Sequence, residues 1–179
     1  MADDDLTFTG FSVELMERSH ARVLDALDGL TDEQLWFQPA PGSNSIGWLV
    51  WHLSRFKDIQ TSRVAQEEQV WISDGWADKF GMRGDEHGMR DTPEQVAAFR
   101  ADRSLILAYA EAAHQAAVRR AANATDEQLH RWVESFDPGR GRYAYQWLLT
   151  NGIDYTEHTG QIAYLRGVLT GPGWSKTMP

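Results

Sequence analysis

Apolar residues recur along the chain at helical spacing, and no stretch alternates convincingly in the manner of a strand. In "FSVELMERSHARVLDALDGL", Phe11, Leu15, Val23, Leu24 and Leu27 mark one face of a first helix that fades at Gly29. A second helix is expected after "PAPGSNS", where Ser43, Asn44 or Ser45 can cap free backbone N–H groups, and it runs to about Gln66. The third starts at Thr92, with Pro93 in the first helical position and Gln95 completing a capping box, and continues through an alanine-rich run to about Ala121. A fourth extends from near Tyr143 to Leu169 and stops at Gly171 and Pro172. Four long helices predict an all-α chain, a four-helix bundle in a single domain over residues 1–179 with its core at about 10–171.

The connections are unequal. Between the second and third helices lies "VWISDGWADKFGMRGDEHGMRD", too long and too rich in Gly and aromatics to be a tight turn, so those helices need not be antiparallel neighbours. The pentapeptide "TDEQL" occurs at Thr31 to Leu35 and again at Thr125 to Leu129, each time reading as a capped single turn. A pseudo-repeat of helix pairs and convergent cap chemistry both account for it.

Composition narrows the chemistry. Cysteine is absent, which removes disulfides, protein thiolates and Cys-ligated zinc and leaves nitrogen and oxygen ligands for any metal. The net charge of −9 and the lack of a long basic cluster argue against nucleic acid as a partner. The opening "MADDDLTF" has no basic segment followed by an apolar one, and no apolar run is long enough for a bilayer, so a cytoplasmic protein without a membrane partner is expected.

Within this apolar pattern stands a set of polar residues. A 4-3 spacing on the fourth helix lines up Trp147, Asn151, Asp154, His158, Gln161, Leu165 and Val168, a stripe apolar at its ends and polar in its middle. Asp154 and His158 are four apart, about 6 Å between Cβ atoms, and can converge on one point. On the second helix Trp48, His52, Phe56 and Ile59 form an inward stripe with an imidazole in it. Two imidazoles and a carboxylate suit Zn²⁺, Ni²⁺ or Fe²⁺, and three protein ligands leave coordination positions open. A satisfied buried polar network explains the same residues without a metal. His20, His114 and His130, among charged or polar neighbours, are expected to be solvated, and His87 is read as an exposed loop residue able to add a ligand. Trp36, Trp71, Trp76 and Trp132 read as core and loop-anchoring aromatics.

"SIGWLVWHLSRFKD" and "NGIDYTEHTGQIAYLRGVL" resemble the second-helix and last-helix motifs of the DinB-like superfamily, and "WADKFGM" is similar to its middle segment. The resemblance implies a bundle of up-down-down-up topology with a divalent metal held inside by three residues, His52 and His158 matching the motif histidines. Asp154 departs from the commoner third histidine, but the mycothiol-dependent maleylpyruvate isomerase branch carries a carboxylate there. That branch and the bacillithiol S-transferases activate a low-molecular-weight thiol at the metal. The implied function is therefore a metal-dependent thiol S-transferase or isomerase acting on a small-molecule thiol such as mycothiol or bacillithiol and an electrophile. His52, Asp154 and His158 would be its ligands, with Zn²⁺ favoured, and Trp48, Trp147, Asn151 and Gln161 the residues orienting substrate or water. The alternative is a non-enzymatic stress-related metal-binding or dimerisation module whose ion staples the bundle or whose site has decayed. A homodimer is expected from the long apolar helices.

Overall fold

The computed structural model describes residues 7–176 except 136 and 138. Four long helices carry the structure: α1 (Phe8–Leu27), α3 (Ile46–Ala65), α7 (Arg103–Ala122) and α9 (Ala144–Thr170), in a predominantly helical chain. Short helices fill the connections: α2 (Asp32–Leu35), α4 (Val70–Ser73), α5 (Trp76–Phe80), α6 (Pro93–Ala98) and α8 (Asp126–Leu129). Strands β1 (Trp132–Glu134) and β2 (Gly141–Tyr143) pair antiparallel and lead into α9. Among the described residues no helix is long and apolar enough to cross a membrane.

The caps follow the local chemistry. Ser45 accepts a hydrogen bond from the Trp48 amide and starts α3, and reciprocal capping boxes close α2, α6 and α8 at Thr31, Thr92 and Thr125. The two "TDEQL" segments are thus the same capped turn used twice. The expected third helix is broken, however. Phe99 is extended and ends α6, its ring packing 4.7 Å from that of Trp51, and α7 begins only at Arg103. Burying that ring, together with the hydrogen bonds of Arg103 to the carbonyls of Leu27 and Leu30, outweighs continued helix.

Contacts between side chains set the helix directions. His52 meets His158, Lys57 meets Tyr155 and Arg63 meets Trp147, so α3 and α9 are antiparallel. Phe8 meets Tyr145 and His20 meets Tyr155, so α1 and α9 are parallel. Arg55 meets Tyr109, Lys57 meets His114 and Arg120 meets Thr61, so α3 and α7 are parallel. The buried face of α1 carries Ser12, Met16, Ser19, His20, Val23 and Leu27. Phe11 and Leu24, expected to face inward, are 53% and 41% exposed. That face is part polar because it meets polar partners on α7, so apolar spacing alone located Val23 and Leu27 but misplaced Phe11 and Leu24.

Helix α3 is covered on all sides, every residue but Arg63 and Ala65 being buried. The long connection wraps its outer flank, anchored by Asp58, whose carboxylate accepts from the Val70 and Trp71 amides at 3.1 and 2.9 Å and from Arg120 at 2.8 Å. Three buried charges, Arg55, Asp58 and Arg120, thereby tie the connection to α3 and α7. Each has its partners, as burial of charge demands.

Candidate metal centre

His52 lies midway along α3 between Trp48, stacked on it at 4.5 Å, and Phe56, whose ring centre is 4.8 Å away. Its Nδ1 is 2.6 Å from the His87 carbonyl oxygen. A carbonyl can only accept, so Nδ1 carries the proton and Nε2 holds the lone pair. Burial, and after it the neighbouring His158, depress its pKa to about 3, so the ring is neutral at physiological pH.

The connection is what positions this imidazole. Arg55 Nε donates to the Glu86 carbonyl at 2.9 Å and Trp48 Nε1 to Asp91 at 3.2 Å, pinning the segment on both sides of His87. Gly88, at φ +85°, passes so near that a Cβ there would stand 2.7 Å from His52 Nδ1. Only glycine combines that backbone angle with that approach.

Asp154 and His158 project from α9 toward the same place. His158 Nε2 is 3.6 Å from Asp154 Oδ1, and the His52 and His158 ring centres are 5.1 Å apart. His158 Nδ1 is 2.9 Å from Gln161 Oε1, which directs its proton to Nδ1 and its lone pair to Nε2. Desolvation raises the Asp154 carboxyl above its ordinary range, against the attraction of His158. Both groups keep some solvent access, 26% for the Asp154 side chain and 17% for His158. A cleft of ≈ 600 Å³ adjoins them through Gln161, walled by Asn44, Leu49, Tyr164 and Leu165.

The structure thus brings His52, Asp154, His158, Trp48 and Gln161 together. Asn151 lies one turn before Asp154, 1% exposed, with no hydrogen-bond partner for either amide atom among the described residues. Trp147 is elsewhere: its ring lies beneath the guanidinium groups of Arg63 and Arg142, and Arg63 is eleven residues, about 16 Å of helix, beyond His52. His87 is half-buried, and its main chain rather than its ring holds His52. Among the described residues, no three His, Asp or Glu side chains are gathered closely enough to hold an ion as they stand.

The expectation for two other histidines is corrected. His20 and His114 are buried, not solvated, because each is paired across the bundle with a carboxylate. His130 is exposed, as expected. The sequence signals that were passed over are Arg55, Lys57 and Asp58, three charges within six residues of His52 on a helix otherwise read as core, and the glycine of "EHGM".

A family model described as the DinB superfamily matches residues 15–162. The chain belongs to the DinB superfamily. A crystal structure described as that of a conserved protein of locus from Enterococcus faecalis is similar to it with a TM-score of 0.79. The two are 26% identical, and the match covers 93% of this chain and 99% of that one. No curated protein matches the chain.

Proposed function

We propose that this DinB-superfamily chain is a metal-dependent thiol S-transferase or isomerase in which His52, Asp154 and His158 bind one divalent ion. One observation carries the reading: His158, its Nδ1 engaged by Gln161, sets its Nε2 3.6 Å from an Asp154 carboxylate oxygen in a partly desolvated place, with the His52 ring beside it. A cation shared by the three side chains would take a donor from each. The donor set fits, since carbonyl acceptors on both Nδ1 atoms leave each imidazole its Nε2 for a ligand. Zn²⁺ is favoured over Ni²⁺ or Fe²⁺ for two nitrogens and one oxygen.

A bound divalent ion would supply the acidity that turns a small thiol, such as mycothiol or bacillithiol, into its nucleophilic thiolate near neutral pH. The chain's own groups do the rest. Trp48 and Phe56 flank His52 and keep water off it. Gln161 locks His158 and borders the cleft through which a guest would enter. Asn151, with its amide unpaired, is suited to hold a polar group of substrate or an ordered water. The partial exposure of Asp154 and His158 favours an exchangeable, reactive ion over a structural staple.

The test is turnover by untagged, Zn²⁺-loaded protein given mycothiol, bacillithiol or glutathione with an electrophilic probe. A rate well above that of His158→Ala supports the reading, and equal rates remove it. Strong loss of melting temperature on chelation, with no thiol bound, would instead identify a stapling ion.

A further inference from the structure

Large apolar side chains that reach solvent are gathered on one face of the bundle. Among the described residues half of them, Phe8, Phe11, Trp132, Tyr143, Leu149 and Ile153, belong to the start of α1, the β1–β2 hairpin and the first half of α9, and they are between 39% and 56% exposed. Phe8 and Phe11 are three apart and Leu149 and Ile153 four apart, so each pair shares a stripe of its helix, and both stripes are turned to solvent. The set is contiguous. The Trp132 ring meets that of Tyr143 at 5.6 Å, Tyr143 stacks on Tyr145 at 6.0 Å with planes 9° apart, and Tyr145 meets Phe8 at 6.4 Å. Strand pairing of Trp132 with Tyr143 fixes this aromatic ridge to the head of α9. Beside it, α1 and α9 enclose a groove of ≈ 360 Å³ walled by Phe11, Leu15, Met16, Leu149, Gly152 and Ile153, in which Glu157 is the only charged lining residue.

We propose that this face is the contact surface of a homodimer, formed with a second copy of the chain about a two-fold axis at Leu149. Area, shape and charge select that occupant. With roughly 200 Å² for a large side chain, six of them at about half exposure offer about 600 Å² on each copy and about 1,200 Å² in all, the lower edge of the range for a stable complex. Ridge and groove lie side by side, as a contact between identical surfaces needs, each copy offering both halves. Leu149 stands on α9 midway between Tyr145 of the ridge and Ile153 of the groove, four residues from each. With the two α9 helices crossing antiparallel at that point, each ridge reaches the groove of the other copy.

The chain carries a net charge of −9, so two copies repel over most of their surfaces and approach where charge is absent. A lipid surface is a poorer occupant, because helices that lie on anionic membranes surround their apolar residues with Lys and Arg, and the lining of this groove has neither. The seam makes no use of His52, Asp154 or His158, so dimerisation and metal chemistry stand or fall separately.

Sedimentation equilibrium of the full chain tests the proposal, with phosphatidylcholine vesicles as a second arm. At about 100 µM, above the micromolar end of the affinities that interfaces of this kind show, the parent should have the mass of two 20.3 kDa chains. Leu149→Glu with Ile153→Glu sets like charges against one another in the seam and should weaken association by about a hundredfold or more, the helical circular dichroism being kept. Because the chain has no cysteine, Leu149→Cys places a single thiol at the axis. Air oxidation should join two such chains through one disulfide, and should not join Leu24→Cys chains, whose thiol is exposed elsewhere on α1. A monomeric parent at that concentration overturns the proposal, as does a dimer whose affinity the two glutamates leave unchanged, or a Leu149→Cys chain that cross-links no faster than Leu24→Cys. A monomer that sediments with the vesicles would overturn it too, and assign the face to lipid.

Discussion

Gly88→Ala is the sharpest test of how the connection holds His52. Two costs arise together. At φ +85° an alanine is strained by about 1–3 kcal/mol. Its Cβ would also fall 2.7 Å from His52 Nδ1, 2.9 Å from Trp48 Cζ2 and 3.0 Å from Trp51 Cζ3, against buried rings that have no free direction in which to yield. The segment must therefore lift, which breaks the bond from His52 to the His87 carbonyl and leaves a buried N–H unpaired, a further loss of about 1–3 kcal/mol. The sum is about 2–6 kcal/mol, or roughly 5–20 °C in melting temperature for a chain of this size. Gly81→Ala is the control, since φ there is +64° but nothing lies within 4 Å of the added atom; it should cost only about 1–2 kcal/mol. Urea unfolding of the three proteins gives the stabilities, and ¹⁵N spectra of the imidazoles report the His52 tautomer. Equal losses for the two alanines, with the Nδ1–H tautomer retained in Gly88→Ala, would refute the reasoning.

Three further outcomes follow from the same geometry. In chelator-treated protein, His52 has a folded pKa of about 3 against an unfolded 6.5, so the unfolded state binds the extra proton and stability must fall as pH drops through 6.5. That amounts to about 2 kcal/mol at pH 5 from this ring alone, measured by denaturant unfolding, and His52→Gln should flatten the slope by nearly one proton. Asp58→Ala strips Arg120 of its buried carboxylate partner and removes the acceptor for two amides of the connection, so a loss of about 3–5 kcal/mol is expected by calorimetry; a loss under 1 kcal/mol would contradict it. Trp48→Leu should weaken metal affinity by tenfold or more, whereas Trp147→Leu should lower stability and leave metal affinity unchanged, as read by zinc titration.

Local chemistry read from the chain alone determined a good part of this protein. Helix starts at Ser45 and Thr92, the twin capped turns and the stop at Gly171 depend on residues a few positions apart, and such short-range hydrogen bonds form wherever the chain carries them. The i, i+4 pairing of Asp154 with His158 is equally local, and the motifs around His52 and His158 marked the superfamily. Tertiary packing decided the rest. Which face of α1 turns inward was set by partners on α7 and α9, and the break at Phe99 by the ring of Trp51. His20 and His114 lie 94 positions apart and become stacked, buried and paired only when α1 crosses α7. His52 owes its tautomer to a main-chain carbonyl 35 residues away, and a backbone carbonyl leaves no trace in side-chain spacing. Only where the helices and their long connection close on one another do these groups acquire partners, because burial makes an unpaired polar group costly and the partner that meets the need comes from a distant part of the chain.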